Sequence, residues 1–381
     1  MTAPSLAAAA YIDAERDLDQ LVDSLRGEPR IACDTESNSL HAYRGQTCLI
    51  QLSTPGRDVL IDPLRIADIS ALGPVFADPQ IEKVFHASEY DLICLKRDYD
   101  FDVHPVFDTM AAARVCGYAR IGLGNMLEDL LGVRHSKKHQ TDDWAQRPLS
   151  ASHRRYAQMD THYLLPLRDI LYGELQRAGR LEEAFEYFAD VTAFEVKSHE
   201  FDPEGFWDLC RPKDLSPRQA AVLRELYILR DELARHHDRP SHQLITNKAL
   251  LKLATTAPRG RKGLFGVSGL PPWLARQNGD EISQAIAHGN KSLAPPQPPR
   301  RKAIPQTIVD RYTALHTWRK EVALSRGVES DVILSKRSMW AIARRKPASV
   351  DDLEGIPGLG PWRRATYGAD LLSLMMNRDL R

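Results

Sequence analysis

A mixed sheet flanked by helices, followed by two all-α modules, is the architecture that this 381-residue sequence predicts. Three observations predict it. Short apolar and β-branched runs crowd the first 110 or so positions, punctuated by Gly, Pro, Ser and Asn. Beyond residue 123 the apolar spacing turns helical, and no strand pattern returns past residue 200. The carboxy-terminal part then passes twice through one order of helix, helix and glycine turn.

Taken in order, AERDLDQLVDSLRG predicts a helix. RIACDTES at 30–37, QTCLIQLST at 46–54 and DVLIDP at 58–63 read as strands, and their short spacings suit antiparallel neighbours. KVFHAS at 83–88 is a fourth strand that runs into a helix through EYDLICLKRDY, and HPVFDTMAAARV repeats the strand-to-helix step. From residue 123 the chain is read as helical, including SASHRRYAQMDTHYLLPLRDILYGELQ. A catalytic domain is expected over 1–200, helical modules over 210–292 and 305–381, and a stiff linker over 293–304 with prolines at 295, 296, 298 and 299. The repeated order is AAVLRELYILRDELARHHDRP, NKALLKLATTAP, FGVSGLP, then VDRYTALHTWRKEVALSRG, KRSMWAIARRKP, LEGIPGLGP.

Composition narrows the function. The formal net charge is zero, yet residues 1–200 hold 21 Lys+Arg against 32 Asp+Glu, and residues 201–381 hold 30 against 19. The basic half suits a polyanion. Cys33, Cys48, Cys94, Cys116 and Cys210 are odd in number and form no C-x-x-C pair, so they read as reduced core residues, with no disulfide framework and no zinc site. No apolar run reaches the length of a membrane span, and the opening MTAPSLAAAAYIDAERD has neither a basic start nor a sustained apolar segment. A cytoplasmic protein is expected.

The chemistry begins with Asp34 and Glu36. A strand alternates sides with period two, so both carboxylates point to one face and repel each other. A positive charge belongs between them. Asp91 falls in the first turn of the helix after KVFHAS, and Tyr156 and Asp160 stand one turn apart on a single helix face. Four carboxylates, two on one strand, one at a helix start and one on a late helix, are the donor set that hard divalent cations take, and a pair of such ions can drive an in-line phosphoryl displacement.

DTE at 34–36, HASEYD at 86–91 and YAQMD at 156–160 resemble the three exonuclease motifs of the DEDD superfamily, in the subgroup with tyrosine in the third motif. The flanking LIQLST, FDTMAAARV and GLGNMLEDLLGVRHSKKHQTDDWAQRPLSASHRRYAQMDTHYLLPL resemble the ribonuclease D family, and the two helical modules resemble HRDC domains. The resemblance implies an RNase H-like fold and a 3′→5′ exoribonuclease that releases nucleoside 5′-monophosphates, with tRNA precursors as typical substrates. It implies two divalent metal ions, Mg²⁺ or Mn²⁺, held by Asp34, Glu36, Asp91 and Asp160, with Tyr156 orienting the nucleophilic water. A monomer acting on RNA with a free 3′ end is expected. The rival readings are a proofreading or repair deoxyribonuclease and a non-catalytic RNA-binding scaffold.

Other residues are weighed against plainer roles. His41 and Tyr43, in the loop after the first motif, are candidates for stacking on a terminal base. Lys138, where the family carries lysine, is a candidate phosphate contact. Lys248, Lys252 and Arg261 in the first module are candidates for gripping the RNA backbone. LEGIPGLGP either lets helix N–H groups approach a phosphate or turns a tight corner between helices. His135 and His139 lack the glutamate of a zinc-peptidase motif, and Asp142 and Asp143 are not counted as ligands. Arg147, Trp144 and His86 are read as structural.

Overall fold

The computed structural model describes residues 6–194, 200–299 and 302–376. The chain divides into two compact units. One comprises Met1–Ser37, Thr47–Val196 and Ala303–Arg381; the other comprises Asn38–Gln46 and Lys197–Lys302. The proline-rich linker expected over 293–304 includes positions 300 and 301, which lie outside the described residues.

The first unit is built on a six-stranded mixed sheet: β1 (Ala10–Ile12), β2 (Arg30–Ser37), β3 (Thr47–Thr54), β4 (Arg57–Ile61), β5 (Glu82–Phe85) and β6 (Val106–Asp108), in the order β1-β4-β3-β2-β5-β6. β3 is antiparallel to both β2 and β4, as the short connections predict, whereas β5 and β6 run parallel to β2 and β5 through helical crossovers. β1, unforeseen in the sequence, is a three-residue parallel edge on β4, too short to show an alternation.

Period-two alternation puts the two faces of β2 into different cores. Ile31 and Cys33 pack with Leu18, Leu21, Val22 and Leu25, the apolar stripe of α1 (Glu15–Leu25), and with residues of α2 (Gly73–Ala77) and α3 (Glu89–Tyr99). Ala32 packs on the other face with Ala112, Leu127, Leu167 and Phe188. Those four come from α4 (Thr109–Cys116), α5 (Leu123–Leu131), α7 (Leu164–Arg177) and α8 (Leu181–Val191). Asp34 and Glu36 continue the Ala32 face, beyond the point where the apolar filling ends.

Two departures from the helical reading past residue 123 have local causes. Between Leu131 and α6 (Ala151–His162) the chain forms no helix: Gly132 ends α5 in the left-handed region at φ 66°, and the polar run that follows closes on Pro148. The stretch read as helical from 150 to 176 is two helices, broken between α6 and α7 at Tyr163 (φ −100°, ψ 1°). Pro166, three residues on, has no N–H to continue the ladder.

The helical part is a tandem repeat in detail. α9 (Pro217–His237), α10 (Ser241–Leu244) and α11 (Asn247–Thr256) match α14 (Gln306–Arg326), α15 (Ser330–Ile333) and α16 (Lys336–Arg345) in length, at 21, 4 and 10 residues. Each long helix carries a buried arginine whose guanidinium donates to a carbonyl 15 residues on, Arg230 to Ile245 and Arg319 to Leu334. Each module closes with a Pro-Trp helix start. In the first, α12 (Pro272–Gln277) breaks at Asn278 before α13 (Gly279–Gly289); in the second, α17 (Pro361–Met376) runs through.

Within the first unit, the second module is bound to α8. Fully buried Glu183 takes both guanidinium nitrogens of Arg326 at 2.5 and 2.7 Å, and Asp331 accepts from Arg114 at 2.8 Å. The glycine turn of LEGIPGLGP is a corner closed by an acid: Glu186 accepts from the backbone N–H groups of Gly360 at 2.9 Å, Trp362 at 2.8 Å and Arg363 at 3.3 Å. A Cβ on Gly360 would come within 2.5 Å of that carboxylate, and one on Gly358 within 2.6 Å of Asp190. The N–H groups considered for phosphate are already paired with Glu186.

Candidate active site

The first two acids are held by an interrupted ladder. β5 pairs with β2 only over Arg30–Ala32, which leaves the following edge of β2 open. Asp91, in the first turn of α3, fills it: one carboxylate oxygen accepts the Thr35 backbone N–H at 2.9 Å and the Thr35 hydroxyl at 2.6 Å. The turn that launches α3 depends on Asp108. That side chain caps α4 and also accepts from Ala87 N at 3.1 Å, Ser88 N at 2.8 Å and Ser88 Oγ at 2.9 Å, holding Ala87 at φ 64°. His86 is the strand-end residue expected, with Nδ1 2.9 Å from Thr109 Oγ1, whose proton goes to Phe85 O.

Asp34, Glu36, Asp91, Tyr156 and Asp160 line one cavity of about 340 Å³, together with His135, Lys137 and Gln140 from the irregular segment before α6. Asp34, Glu36 and Asp160 each offer a carboxylate oxygen within 4.8 Å of the others. Asp160 Oδ1 is 2.8 Å from His135 Nε2. The Tyr156 ring packs against His135, His139 and Trp144 at centroid distances of 5.3, 5.8 and 5.9 Å.

The electrostatics are those of a negative cluster short of counter-charge. Burial, then repulsion from Asp91, Asp160 and Glu36, holds Asp34 well above the usual carboxylate range; burial, then repulsion from Asp160, Asp91 and Asp142, raises Glu36 well above it. Burial pushes Asp91 up to about 7 despite its bonds to Thr35, and raises Asp160 against the lowering effect of His135. Burial, then the facing carboxylates, also push the Tyr156 phenol far up from its ordinary range. An all-oxygen donor set in mutual repulsion fits hard divalent cations.

The candidate RNA contacts are placed differently from one another. Lys138 is exposed; its neighbour Lys137 is the lysine in the cavity wall. His41 is exposed, whereas Tyr43 packs against the core of the first module, donates its hydroxyl to Asp231 at 2.7 Å and lies under Arg235. Lys248 and Lys252 are exposed four residues apart on one face of α11. Arg261 is engaged inside its module by the Arg276 carbonyl and, at 3.5 Å, by Asp280. Arg147 is structural, chelating buried Asp62 at 2.6 and 2.8 Å, and Trp144 is 1% exposed.

The fold and the cluster define a nuclease of the 3′–5′ exonuclease type with appended HRDC modules. Residues 9–176 match the 3′-5′ exonuclease family model, and 219–286 and 309–375 each match the HRDC domain. The chain is 30% identical over 374 residues to ribonuclease D of Gluconacetobacter diazotrophicus, covering 97% of this chain and 93% of that one. It superposes on the crystal structure of Escherichia coli RNase D, an exoribonuclease involved in structured RNA processing, with a TM-score of 0.72 and 26% identity over 98% of this chain and 100% of that one. The chain belongs to the ribonuclease D family and is a 3′-5′ exoribonuclease. It is also 33% identical over 279 residues to the exosome complex component 10 homolog of Caenorhabditis elegans, covering 72% of this chain but only 32% of that longer protein.

Asp108, Lys137 and Gln140 escape the sequence reading, and His135 enters it only as half of an incomplete zinc-peptidase pattern. Asp108 carries a signal, an acid at a strand-to-helix step, which is the pattern of a capping residue. The other three lie in a segment without periodicity, where no spacing tells which side chains turn inward.

Proposed function

We propose that this chain is a metal-dependent enzyme that removes nucleoside 5′-monophosphates one at a time from the 3′ end of RNA, with tRNA precursors as its substrate class. The convergence of Asp34, Glu36, Asp91 and Asp160 on one cavity carries the reading. Two divalent ions, Mg²⁺ or Mn²⁺, bound by these four acids would supply the Lewis acidity that activates water and neutralises the charge on the phosphate. Thr35 fixes Asp91, and His135 orients Asp160. Tyr156, as a neutral phenol, aligns the attacking water by a hydrogen bond, and Lys137 offers a positive charge to the terminal phosphate. Lys248 and Lys252 favour a folded RNA body by sequence-independent backbone contact. The chain works in the cytoplasm as a monomer; among the described residues no helix is long and apolar enough to cross a membrane.

The test is incubation of the full chain with a 3′-extended tRNA and a matched DNA, each with Mg²⁺ and with chelator. Monophosphate release from RNA that stops with chelator, and in Asp34→Asn and Asp160→Asn, is the expected result. Chelator-insensitive release would overturn the metal assignment, equal turnover of DNA the RNA assignment, and binding without release the enzyme itself.

A further inference from the structure

Beside the carboxylate cluster lies a second group of ligand-type side chains that the mechanism does not use. His139 Nδ1 is 2.6 Å from Asp142 Oδ2, and His153 Nε2 is 3.0 Å from the same oxygen. One donor atom from each residue lies within 4.8 Å of the other two. The two imidazole rings stack obliquely at 4.3 Å.

The surroundings are built around those three donors. His153 is held from behind, its Nδ1 2.6 Å from Ser150 Oγ, the residue that caps α6, and this turns Nε2 toward Asp142. A fixed second nitrogen is what metal-binding histidines generally have. His139 is only 8% exposed, and buried Trp144 walls the His153 ring at 5.3 Å. Asp142 and His153 stay partly exposed, which leaves an entry path. Two imidazoles with one carboxylate suit the borderline ions of the first transition row better than Mg²⁺, and three protein ligands leave a position for water. Around Zn²⁺ with bonds of about 2.0–2.1 Å, tetrahedral ligand atoms are roughly 3.3 Å apart, so each histidine–Asp142 contact needs to open by less than about 1 Å.

We propose that His139, Asp142 and His153 bind one transition-metal ion of the Zn²⁺ class, separate from the catalytic carboxylates. The ion ties the irregular segment between α5 and α6 to the first turn of α6. That segment carries His135 and Lys137 to the cavity, and His153 precedes Tyr156 by one helical turn. Occupancy therefore braces the wall of the active site.

Co²⁺ is the spectroscopic probe. The full chain, stripped with chelator and returned to excess Mg²⁺, is titrated with Co²⁺ while visible absorption is recorded, and Zn²⁺ is then added in competition. The expected result is one equivalent of Co²⁺ with ligand-field bands that Zn²⁺ abolishes. His153→Gln, on the more exposed histidine, and Asp142→Asn should weaken Co²⁺ binding by at least about tenfold, whereas Asp34→Asn keeps it. Zn²⁺ should also slow hydrogen exchange over residues 133–150 in the wild type and not in His153→Gln. No bound equivalent in the wild type, equal binding by both variants, or loss of binding in Asp34→Asn overturns the proposal.

Discussion

His135 Nε2 stands 2.8 Å from Asp160 Oδ1, with 6% and 10% of the two side chains exposed. A buried ring bonded to a buried acid fixes the direction in which that acid offers its other oxygen. His135→Ala is expected to cut RNA turnover by about 10- to 100-fold at limiting Mn²⁺, with partial recovery as Mn²⁺ is raised. Steady-state assays over a Mn²⁺ series check this; turnover equal to wild type at every concentration would leave the ring a packing element only.

Thr35→Val keeps the shape of the side chain and removes the hydroxyl that Asp91 accepts at 2.6 Å. Urea unfolding should show a loss of about 1–3 kcal/mol, because a buried acceptor loses a donor. Thr35→Ser should restore both stability and activity.

Tyr156→Phe should fold normally and lose about 100-fold or more in kcat, with KM for RNA little changed. Because the phenol is held far above its ordinary range, no alkaline limb of the wild-type pH profile should trace to it. A variant with wild-type kcat removes Tyr156 from the mechanism.

Metal-free stability should fall as pH rises from 6.5 to 8. Asp91, raised by burial to about 7 from 3.8, keeps a proton in the folded state that the unfolded chain has released, so its stabilisation is lost as pH passes 7. The shift of Asp91 alone is worth about 1 kcal/mol across that window, and the raised Asp34 and Glu36 act in the same direction. His86, lowered by burial to about 4, gives its opposite contribution below pH 6.5, and Lys83, lowered by burial to about 8, gives its own above pH 8. Thermal melts in chelator should show the decline, and Mg²⁺ should flatten it.

Glu183→Ala leaves the partly exposed Arg326 with the Tyr367 hydroxyl and the Trp362 ring but without its carboxylate, and the loss of this charge-assisted pair should cost about 1.5–3 kcal/mol. Calorimetry of the full chain measures that loss. Monophosphate release per folded molecule should stay near wild type, since neither residue lines the cavity.

The parts legible in the sequence are those with a period or a motif. The alternation from Ile31 to Glu36 reveals both faces of β2, and its ends are as read, at Arg30 and Ser37. The motif intervals bring Asp34, Glu36, Asp91, Tyr156 and Asp160 together before any coordinate is known. Long-range partners leave no such trace. Tyr43 reads as a free ring after the first motif, yet its hydroxyl is bonded to Asp231, 188 positions away. Lys137 faces the cavity and Lys138 does not line it, a choice made by an irregular backbone and invisible to periodicity.

Because the corner at Gly358 and Gly360 is closed by Glu186, the two copies of the repeat answer to different constraints. The turn of the first copy, at Gly269, presses instead on Thr246 and Ala249 of its own module. The matching turn of the second is a latch whose shape and acid must change in step, so this copy of the duplication serves as a strut for the nuclease half.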